Sequence, residues 1–139
     1  MIKLSDYVIG FVQKNIGNDI FLLAGGGCIH LVDSVRKAGM KAICSLHEQA
    51  AAIGAEAYAQ YKGMGVCLVT TGPGGTNAIT GCTSAWLDSI PVLFLSGQVQ
   101  RKDSMVKRPG VRQMGFQEIN ITDIVRPITK YTSLVLDPQ

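Results

Sequence analysis

The sequence predicts an α/β fold in which a parallel sheet lies between two layers of helices. Short apolar runs alternate along the chain with stretches of helical length, and turns that contain glycine separate many of them. The strand predicted at 66–71 begins with four consecutive apolar residues, as expected where both faces of a strand are covered. Crossovers of helical length join parallel strands, so helices are expected on both faces of the sheet.

Each predicted element follows from a local pattern. Apolar residues repeat at helical spacing from Leu4 to Val12, where Ser5 is a suitable N-cap, Leu4 and Ile9 form a suitable hydrophobic staple, and Gly17 ends the helix. The other helices are predicted by similar repeats and stops, and the strands by apolar runs. Strands are predicted at 20–24, 41–44, 66–71 and 91–97, and the strand at 91–97 is also predicted to be buried. Three further helices are predicted: one that begins at 29 and stops at Gly39, one at 48–61 and one at 77–87.

The alternating pattern stops after the fourth strand. Residues 98–113 are predicted to form a charged loop, and a short helix is predicted after Asn120, up to Val125. The segment 131–136 is typical of the beginning of one more α/β unit. A chain of 139 residues fits one domain, so 1–139 is predicted to be a single domain.

The composition restricts the partners that we expect. Hydrophobic residues make up 47% of the chain and charged residues 17%, which predicts a sizeable interface with another subunit or domain. The net charge of +3 is concentrated in the loop 98–115, which contains five basic residues and one acidic residue. The rest of the chain is therefore close to neutral, and no aromatic residues interleave with the basic ones, so nucleic-acid binding is not expected.

The cysteines and the N-terminal residues predict a cytoplasmic protein. The four cysteines lie far apart without a C-x-x-C pair, so we expect free, buried thiols in a reducing compartment. The N-terminus lacks a signal-peptide pattern, and the apolar runs are too short to span a bilayer, so no membrane association is expected. No cluster of cysteine, histidine and acidic residues has the spacing of a metal site.

Three features fall at predicted carboxyl ends of strands, where open parallel sheets bind ligands. They are the glycine run 25–27, the carboxylate of Glu48 and the turn Thr71-Gly72-Pro73-Gly74-Gly75-Thr76-Asn77. We therefore expect one site that contains Glu48 and both glycine segments.

Ordinary structural explanations compete with this interpretation. Ser45 and Glu48 have the spacing of a capping box, so Glu48 could serve only to cap its own helix. The glycine turn could cradle a phosphate at a helix N-terminus, although it lacks the Lys-Ser/Thr ending of nucleotide-hydrolase loops. It could also be a tight turn that needs positive φ values. The spacing alone leaves these alternatives open.

Several motifs together resemble one known family. They are Leu46-His47-Glu48-Gln49-Ala50-Ala51-Ala52, the turn at 71–77, Asp88-Ser89-Ile90-Pro91-Val92-Leu93, Phe116-Gln117-Glu118 and Ile124-Val125-Arg126-Pro127-Ile128-Thr129-Lys130. This set is similar to the pyrimidine-binding domain of thiamine-diphosphate enzymes, and in particular to the acetolactate synthase-like group. The resemblance runs from about Leu4 to Pro138, and it implies the thiamine-diphosphate-binding fold, with the last helix and strand of that domain lying beyond this chain.

The resemblance implies a role for individual residues. Glu48 would hydrogen-bond N1′ of the cofactor's aminopyrimidine, where proton sharing favours the imino tautomer that removes the proton from thiazolium C2. Pro73 and Asn77 would line the pyrimidine side of the cofactor, and Gly25 and Gly26 would form the neighbouring turn, also on the cofactor. Phe116 and Gln117 would face the substrate, with Gln117 and Glu48 as the catalytic pair.

The resemblance also implies what lies around this domain. In such enzymes the diphosphate and its Mg²⁺ bind a separate domain, usually on another subunit, so we expect a homodimer or homotetramer and no metal ligands in this chain. The middle and diphosphate-binding domains are absent here, and the isolated chain is predicted to be inactive. FAD binding, which occurs in some relatives, stays open.

The implied function is decarboxylation and carboligation of 2-keto acids. The pattern departs from the family at Ala24, where a proline is usual, and at Gly27, where an alanine is usual, which leaves the substrate open. One alternative is the pyrimidine-binding subunit of a split 2-keto acid decarboxylase of the sulfopyruvate or phosphonopyruvate type, whose anionic substrate would suit the basic loop. The other is a non-catalytic binding domain that keeps the fold.

Overall fold

A computed structural model describes residues 2–108 and 110–137. Its centre is a sheet of four parallel strands in the order β2-β1-β3-β4. The strands are β1 (Asp19–Leu22), β2 (Lys41–Cys44), β3 (Gly65–Val69) and β4 (Val92–Ser96). The parallel α/β fold predicted from the sequence is confirmed.

Helices cover both faces of the sheet. They are α1 (Leu4–Asn15), α2 (Ile29–Lys37), α3 (Glu48–Lys62), α4 (Pro73–Asn77), α5 (Ile79–Leu87) and α6 (Ile121–Val125). Helices α1 and α2 pack on one face, whereas α3 and α5 pack on the other. Four short 3₁₀ segments complete the regular structure of the described residues: Gly26–Cys28, Arg101–Asp103, Met105–Lys107 and Arg126–Ile128.

Successive residues of each strand point to opposite faces, which divides the core in two. The face under α1 and α2, here called the aliphatic face, has a buried cluster of mostly large side chains: Ile9, Val12, Ile20, Leu22, Cys28, Val35, Met40, Val66 and Leu68. The face under α3 and α5, the alanine face, has a buried cluster of mostly small ones: Ala51, Ala52, Ala55, Cys67, Val69 and Ala78. Because both faces are covered, β3 is buried at every position.

The first helix is confirmed, but its predicted cap and staple are wrong. Helix α1 begins at Leu4, so its N-cap is Lys3, which makes no side-chain cap. Ser5 therefore lies inside the first turn, where it is buried and its hydroxyl lies 2.9 Å from the hydroxyl of Ser34 on α2. Leu4 is 42% exposed and belongs to the helix, so it does not precede the cap as a staple must.

Three predicted boundaries are corrected near the sheet, one of them at the third strand, which was predicted to reach Thr71 but ends at Val69. The first strand ends at Leu22 and does not reach Ala24, because the chain leaves the sheet toward the glycine run. The helix predicted at 77–87 begins earlier, at Pro73, and is divided at Ala78 into α4 and α5. Proline suits a first helical position because its missing N–H would have no partner in the helix.

The prediction that the fourth strand is buried is wrong. Four of the five residues of β4 are only partly buried, and Ser96 is exposed. The strand lies at the edge of the sheet, and an open groove of about 1220 Å³ runs along it, lined in part by Leu4, Leu93 and Leu134. The further unit predicted at 131–136 is also wrong for the described residues, because this segment has no helix or strand and lines the same groove.

The short helix after Asn120 is confirmed as α6, where the Asn120 side chain accepts a hydrogen bond from the Asp123 amide. All four cysteines are free, as predicted, but only three are buried, and Cys44 at the end of β2 is exposed. Burial raises the pKa of the Cys67 thiol to about 12. The core thiols are therefore protonated and serve as small apolar groups.

Candidate functional site

The three predicted site segments meet at the carboxyl end of the sheet. The glycine run follows β1, and its Gly27 amide donates to Oγ1 of Thr70, 3.1 Å away, at the end of β3. A Cβ on Gly25 would lie 2.6 Å from the Cβ of Thr70. The run thus packs directly against the segment that leads into the Gly72 turn, as the parallel topology predicts.

Glu48 occupies the first position of α3 and is only 8% exposed. Its Oε2 accepts a hydrogen bond from the Asn77 side chain, with Nδ2 and Oε2 2.9 Å apart. This contact joins the start of α3 to the end of α4. The buried carboxylate and the asparagine of the glycine turn, which the sequence placed in one site, are therefore neighbours.

The capping-box alternative for Glu48 is wrong. The N-cap of α3 is His47, whose Nδ1 accepts a hydrogen bond of 3.1 Å from the Gln49 amide. The Ser45 amide donates instead to the carbonyl oxygen of Leu22 in the neighbouring strand. Glu48 therefore stands one residue past the cap, and its carboxylate points to Asn77 rather than back to the chain before the helix.

The turn between β3 and α4 is tight, and its glycines allow close packing. Gly72 has a φ of +57°, a conformation that favours glycine, so the tight-turn explanation holds at this residue. A Cβ on Gly74 would lie 2.6 Å from Cγ2 of Thr70 and 3.5 Å from Oε1 of Glu48. Pro73 and Asn77 are exposed at the surface of this turn. The turn consequently lies against the carboxylate as well as against the sheet.

Gln117 is brought to the glycine turn by its backbone. A Cβ on Gly72 would lie 2.0 Å from the carbonyl oxygen of Gln117, so only glycine allows this approach. Gln117 itself has a φ of +58°, which is uncommon for a residue with a side chain. The side chains of Gln117 and Phe116 are exposed, Phe116 by 82%. They project from a turn that is fixed beside the site.

The remaining predicted residues lie at the same edge. A Cβ on Gly26 would meet nothing within 4 Å, so this glycine borders open space, whereas Gly25 is packed on Thr70. The described cations of the charged loop are exposed: Arg101, Lys102, Arg108 and Arg112. Across 2–108 and 110–137 no group of three or more His, Cys, Asp or Glu residues could hold a metal ion. In the same residues no helix is long and apolar enough to cross a membrane.

Glu118 is a buried carboxylate beside the site that was not predicted from the sequence. Its side chain is 3% exposed, and its two oxygens accept hydrogen bonds from the Ser104 hydroxyl and from the amides of Met105 and Gly115. The only signal was that Glu118 follows Phe116 and Gln117 in one of the family motifs. Its burial was not predictable, because the flanking loop is polar and has no apolar period.

A hydrogen-bonded link between two strand ends was not predicted either. The Thr71 hydroxyl donates to Oε1 of Gln98 at 3.1 Å, and the Val99 amide donates to the same oxygen at 2.8 Å. Gln98 thus ties the segment before the glycine turn to the loop that follows β4.

The residues present suit a flat nitrogen heterocycle. Glu48 offers a buried carboxylate that can share a proton with a ring nitrogen. The segments around it are rich in glycines, which pack closely on Thr70 and Gln117, and Gly26 borders open space where a planar ring could approach the backbone. The residues that form this part of the site are Gly25, Gly26, Glu48, Gly72, Pro73 and Asn77. None of them is a lysine or arginine that could neutralise a diphosphate.

Comparison with known proteins identifies the class. The family model for the N-terminal TPP-binding domain of thiamine pyrophosphate enzymes matches residues 2–124. The chain therefore belongs to this family, and the family implies thiamine diphosphate as its cofactor.

Individual relatives place the chain more narrowly. It is 41% identical over 136 residues to an acetolactate synthase of Arthrospira platensis, a match that covers 94% of this chain and 22% of the relative. It is 38% identical over 132 residues to the large subunit of acetolactate synthase isozyme 2 of Escherichia coli (strain K12), with 94% and 23% covered. It is 33% identical over 137 residues to the chloroplastic acetolactate synthase 2 of Nicotiana tabacum, with 97% and 20% covered. The chain is an N-terminal TPP-binding domain of the acetolactate synthase-like type, and it spans about a fifth of the length of these relatives.

Proposed function

We propose that this chain forms the pyrimidine half of the active site of a thiamine-diphosphate enzyme that decarboxylates and condenses 2-keto acids. The observation that carries the proposal is Glu48. It is a buried carboxylate at the carboxyl end of a parallel sheet, it is joined to Asn77, and it lies against a glycine turn in a chain of the thiamine pyrophosphate enzyme family. The acetolactate synthase names of the relatives supply the 2-keto acid chemistry.

The residues of this chain have distinct tasks in the proposal. Glu48 exchanges a proton with N1′ of the aminopyrimidine, and Asn77 holds the Oε2 side of its carboxylate in place. Gly25, Gly26 and Pro73 line the pyrimidine side of the bound ring. When it is bound, thiamine diphosphate supplies the electron sink that decarboxylation needs.

Burial of Glu48 is part of this role. A carboxylate that is 8% exposed exchanges its proton with a bound group rather than with bulk water. The Asn77 amide donates to one carboxylate oxygen, so the carboxylate has a fixed orientation when the ring arrives. Phe116 and Gln117 face the substrate side of the same edge, and Gln117 contacts the reacting groups.

The other half of the site comes from elsewhere. We propose that a separate domain binds the diphosphate and Mg²⁺, and that two copies of the assembly form the active site at their interface. The absence of basic side chains among the pyrimidine-side residues supports this division, because a diphosphate needs cationic or metal partners. On this basis the 139-residue chain alone does not turn over 2-keto acids, and decarboxylation by the isolated chain would contradict the proposal.

The split-decarboxylase alternative rests on the basic loop. Arg101, Lys102, Arg108 and Arg112 are exposed on a segment that leads to Phe116 and Gln117, where they could attract a substrate with a second acidic group. The length of the natural reading frame separates the two enzymes, because the split enzyme has this domain as a subunit of its own. Turnover of sulfopyruvate in preference to pyruvate would favour the alternative.

The test is Glu48→Gln in the complete assembly that contains this domain. Glutamine keeps the shape of the side chain and an acceptor for Asn77 but cannot exchange a proton with N1′. We expect turnover of pyruvate to fall by a factor on the order of 10² to 10⁴, the usual contribution of a positioned proton-transfer group. Thiamine diphosphate should still bind, which calorimetry would measure.

Glu56→Gln is the matched control. Glu56 is also a buried carboxylate on α3, 5% exposed, but it accepts its hydrogen bond from Ser84 of α5, away from the sheet edge. Its replacement should leave turnover unchanged. Unchanged turnover in Glu48→Gln with the cofactor bound would leave a non-catalytic binding domain as the better account.

A further inference from the structure

The second buried carboxylate of the site edge, Glu118, organises the loop before it. Oε1 lies 2.7 Å from the Ser104 hydroxyl and 2.8 Å from the Met105 amide nitrogen. Oε2 lies 3.0 Å from the same Met105 nitrogen and 3.1 Å from the Gly115 amide nitrogen. One carboxylate therefore binds two points of the loop that are ten residues apart in sequence, and such a bridge restricts how far these two points can separate.

The donors of Glu118 are themselves held in place. Ser104 is 5% exposed, and its oxygen also accepts a hydrogen bond from the Val106 amide, so it caps the short helical segment that follows. Gly115 is buried, and a Cβ there would lie 2.6 Å from Cγ1 of Val99. The carboxylate is thus enclosed by packed groups on both sides.

Gly115 and Glu118 also close a tight turn. The Glu118 amide donates to the Gly115 carbonyl oxygen at 3.2 Å, while the Glu118 carboxylate accepts from the Gly115 amide. The two central residues of this turn are Phe116 and Gln117. Their side chains project outward, and the carbonyl of Gln117 packs on Gly72.

A continuous set of contacts therefore connects Glu118 to Glu48. It passes from the Glu118 turn through the backbone contact of Gln117 with Gly72, then along α4 to Asn77, and by hydrogen bond to Glu48. A turn that can move by 1 Å at Gln117 would displace both the substrate-facing residues and the support of the glycine turn. Through this route Glu118 can affect the geometry at Glu48, although the two carboxylates are connected only through the turn and α4.

We propose that Glu118 is a positioning residue: its carboxylate clamps Ser104 and Met105 to Gly115 and thereby fixes the Phe116–Gln117 turn against Gly72 for the 2-keto acid. The proposal rests on the proposed function for its substrate, but the clamp itself is a property of this chain alone.

The ionisation of Glu118 agrees with this geometry. Burial acts to raise its pKa, but the hydrogen bonds from Ser104, Gly115, Met105 and Met114 outweigh burial, so that the pKa is lowered. Because the pKa in the folded protein is lower than in the unfolded chain, the carboxylate stabilises the fold above its ordinary pKa near 4.5. That stabilisation is lost as the pH falls through the folded value, and the clamp is fully ionised at neutral pH.

The test compares Glu118→Gln, Glu118→Asp and Ser104→Ala with Glu56→Gln in the complete assembly. Glutamine is neutral and has one acceptor oxygen in place of two, so in either orientation of its amide group an NH₂ faces the amide of Met105 or of Gly115, and the remaining hydrogen bonds are weaker. We expect hydrogen exchange at these two amides to accelerate at least about tenfold in Glu118→Gln, which mass spectrometry or NMR would measure. The Glu56→Gln control should leave exchange at both amides unchanged.

The kinetic arm separates positioning from general destabilisation. After correction for the folded and cofactor-loaded fraction, kcat/KM for pyruvate should fall on the order of 10²-fold in Glu118→Gln, the usual cost of a misplaced group. The Kd for thiamine diphosphate should change less than kcat/KM, since Glu118 holds the Phe116–Gln117 turn directly and reaches the cofactor side only through Gly72. Glu118→Asp keeps both oxygens and should recover part of the activity, and Ser104→Ala, which removes one of the donors, should give an intermediate loss.

Three results would overturn the inference. Unchanged exchange at Met105 and Gly115 would mean that there is no clamp. Faster exchange with unchanged kcat/KM would mean that the clamp does not position the turn. A loss of kcat/KM that disappears once it is normalised to the folded fraction would reduce Glu118 to a structural role. A wild-type assembly that binds no thiamine diphosphate would instead overturn the proposed function and the substrate role of Glu118 with it, while exchange would still decide the clamp.

Discussion

The two faces of the sheet are built from side chains of different size, and this difference locates the site. The aliphatic face is filled by large side chains such as Ile9, Ile20 and Leu22, which pack between the strands and the helices α1 and α2. The alanine face is filled by Ala51, Ala52 and Ala55 of α3, together with small or medium-sized residues of β3. The packing of the aliphatic face depends on side chains large enough to fill the space, whereas the packing of the alanine face depends on close approach of the helix to the sheet.

On the alanine face, three glycines mark places where α3 lies very close to its neighbours. A Cβ on Gly65 would lie 2.0 Å from the carbonyl oxygen of Ala55, and a Cβ on Gly81 would lie 2.5 Å from the Cβ of Ala52. A Cβ on Gly54 would lie 2.8 Å from the ring of Phe21. Helix α3 is therefore in near contact with β3, β1 and α5 at once. This close packing places the first residue of α3, Glu48, at the edge of the sheet, where its Oε2 lies 2.9 Å from Nδ2 of Asn77.

The largest effect should follow from Gly65→Ala. The added methyl group would strike a backbone carbonyl of α3, which cannot rotate away as a side chain can. We expect the free energy of unfolding to fall by more than roughly 3 kcal/mol, at or beyond the upper end for overpacking. Urea unfolding of the chain measures it. A loss below about 1 kcal/mol would show that α3 can lift off the sheet, and the contrast between the faces would fail.

The aliphatic face should respond to loss of volume instead. Leu22 is 2% exposed in β1, and Leu22→Ala leaves a cavity among large neighbours, so we expect a loss of about 3 kcal/mol. Leu22→Met keeps nearly the same volume and should cost less than about 1.5 kcal/mol. The same urea titration compares them. Equal losses in the two variants would mean that shape, rather than volume, limits this face.

Much of this architecture was predictable because it depends on patterns within single segments. Apolar runs at helical crossover spacing gave the parallel sheet, and the position of Glu48 directly after a strand placed it at the ligand-binding edge. The alanines at 50–52 were visible as a small-residue stretch in a predicted helix. The family resemblance predicted that Glu48 and Asn77 lie close together, and the structure adds the hydrogen bond between them.

What could not be predicted depends on contacts between distant segments. Ser5 has the chemistry of a cap, but its partner is Ser34 of another helix, 29 residues away. Glu118 is an acid in a polar loop, and its burial arises only when residues 104, 105 and 115 fold around it. The strand β4 has the apolar sequence that is typical of a buried strand, but it lies at the edge of the sheet beside an open groove. Side-chain type alone decides none of these three outcomes.

The smallest expected effect, Gly10→Ala, has the opposite sign to Gly65→Ala and tests whether position decides the cost of a methyl group. Gly10 is exposed inside α1, and a Cβ there would meet nothing within 4 Å. Alanine loses less backbone entropy in a helix than glycine, so Gly10→Ala should stabilise the chain by about 0.5–1 kcal/mol. The same urea titration measures it. Because both variants add one methyl group to a glycine, opposite signs would show that the surroundings of the glycine decide the cost. Destabilisation by Gly10→Ala would mean that the free space around a glycine does not predict the effect of an added methyl group.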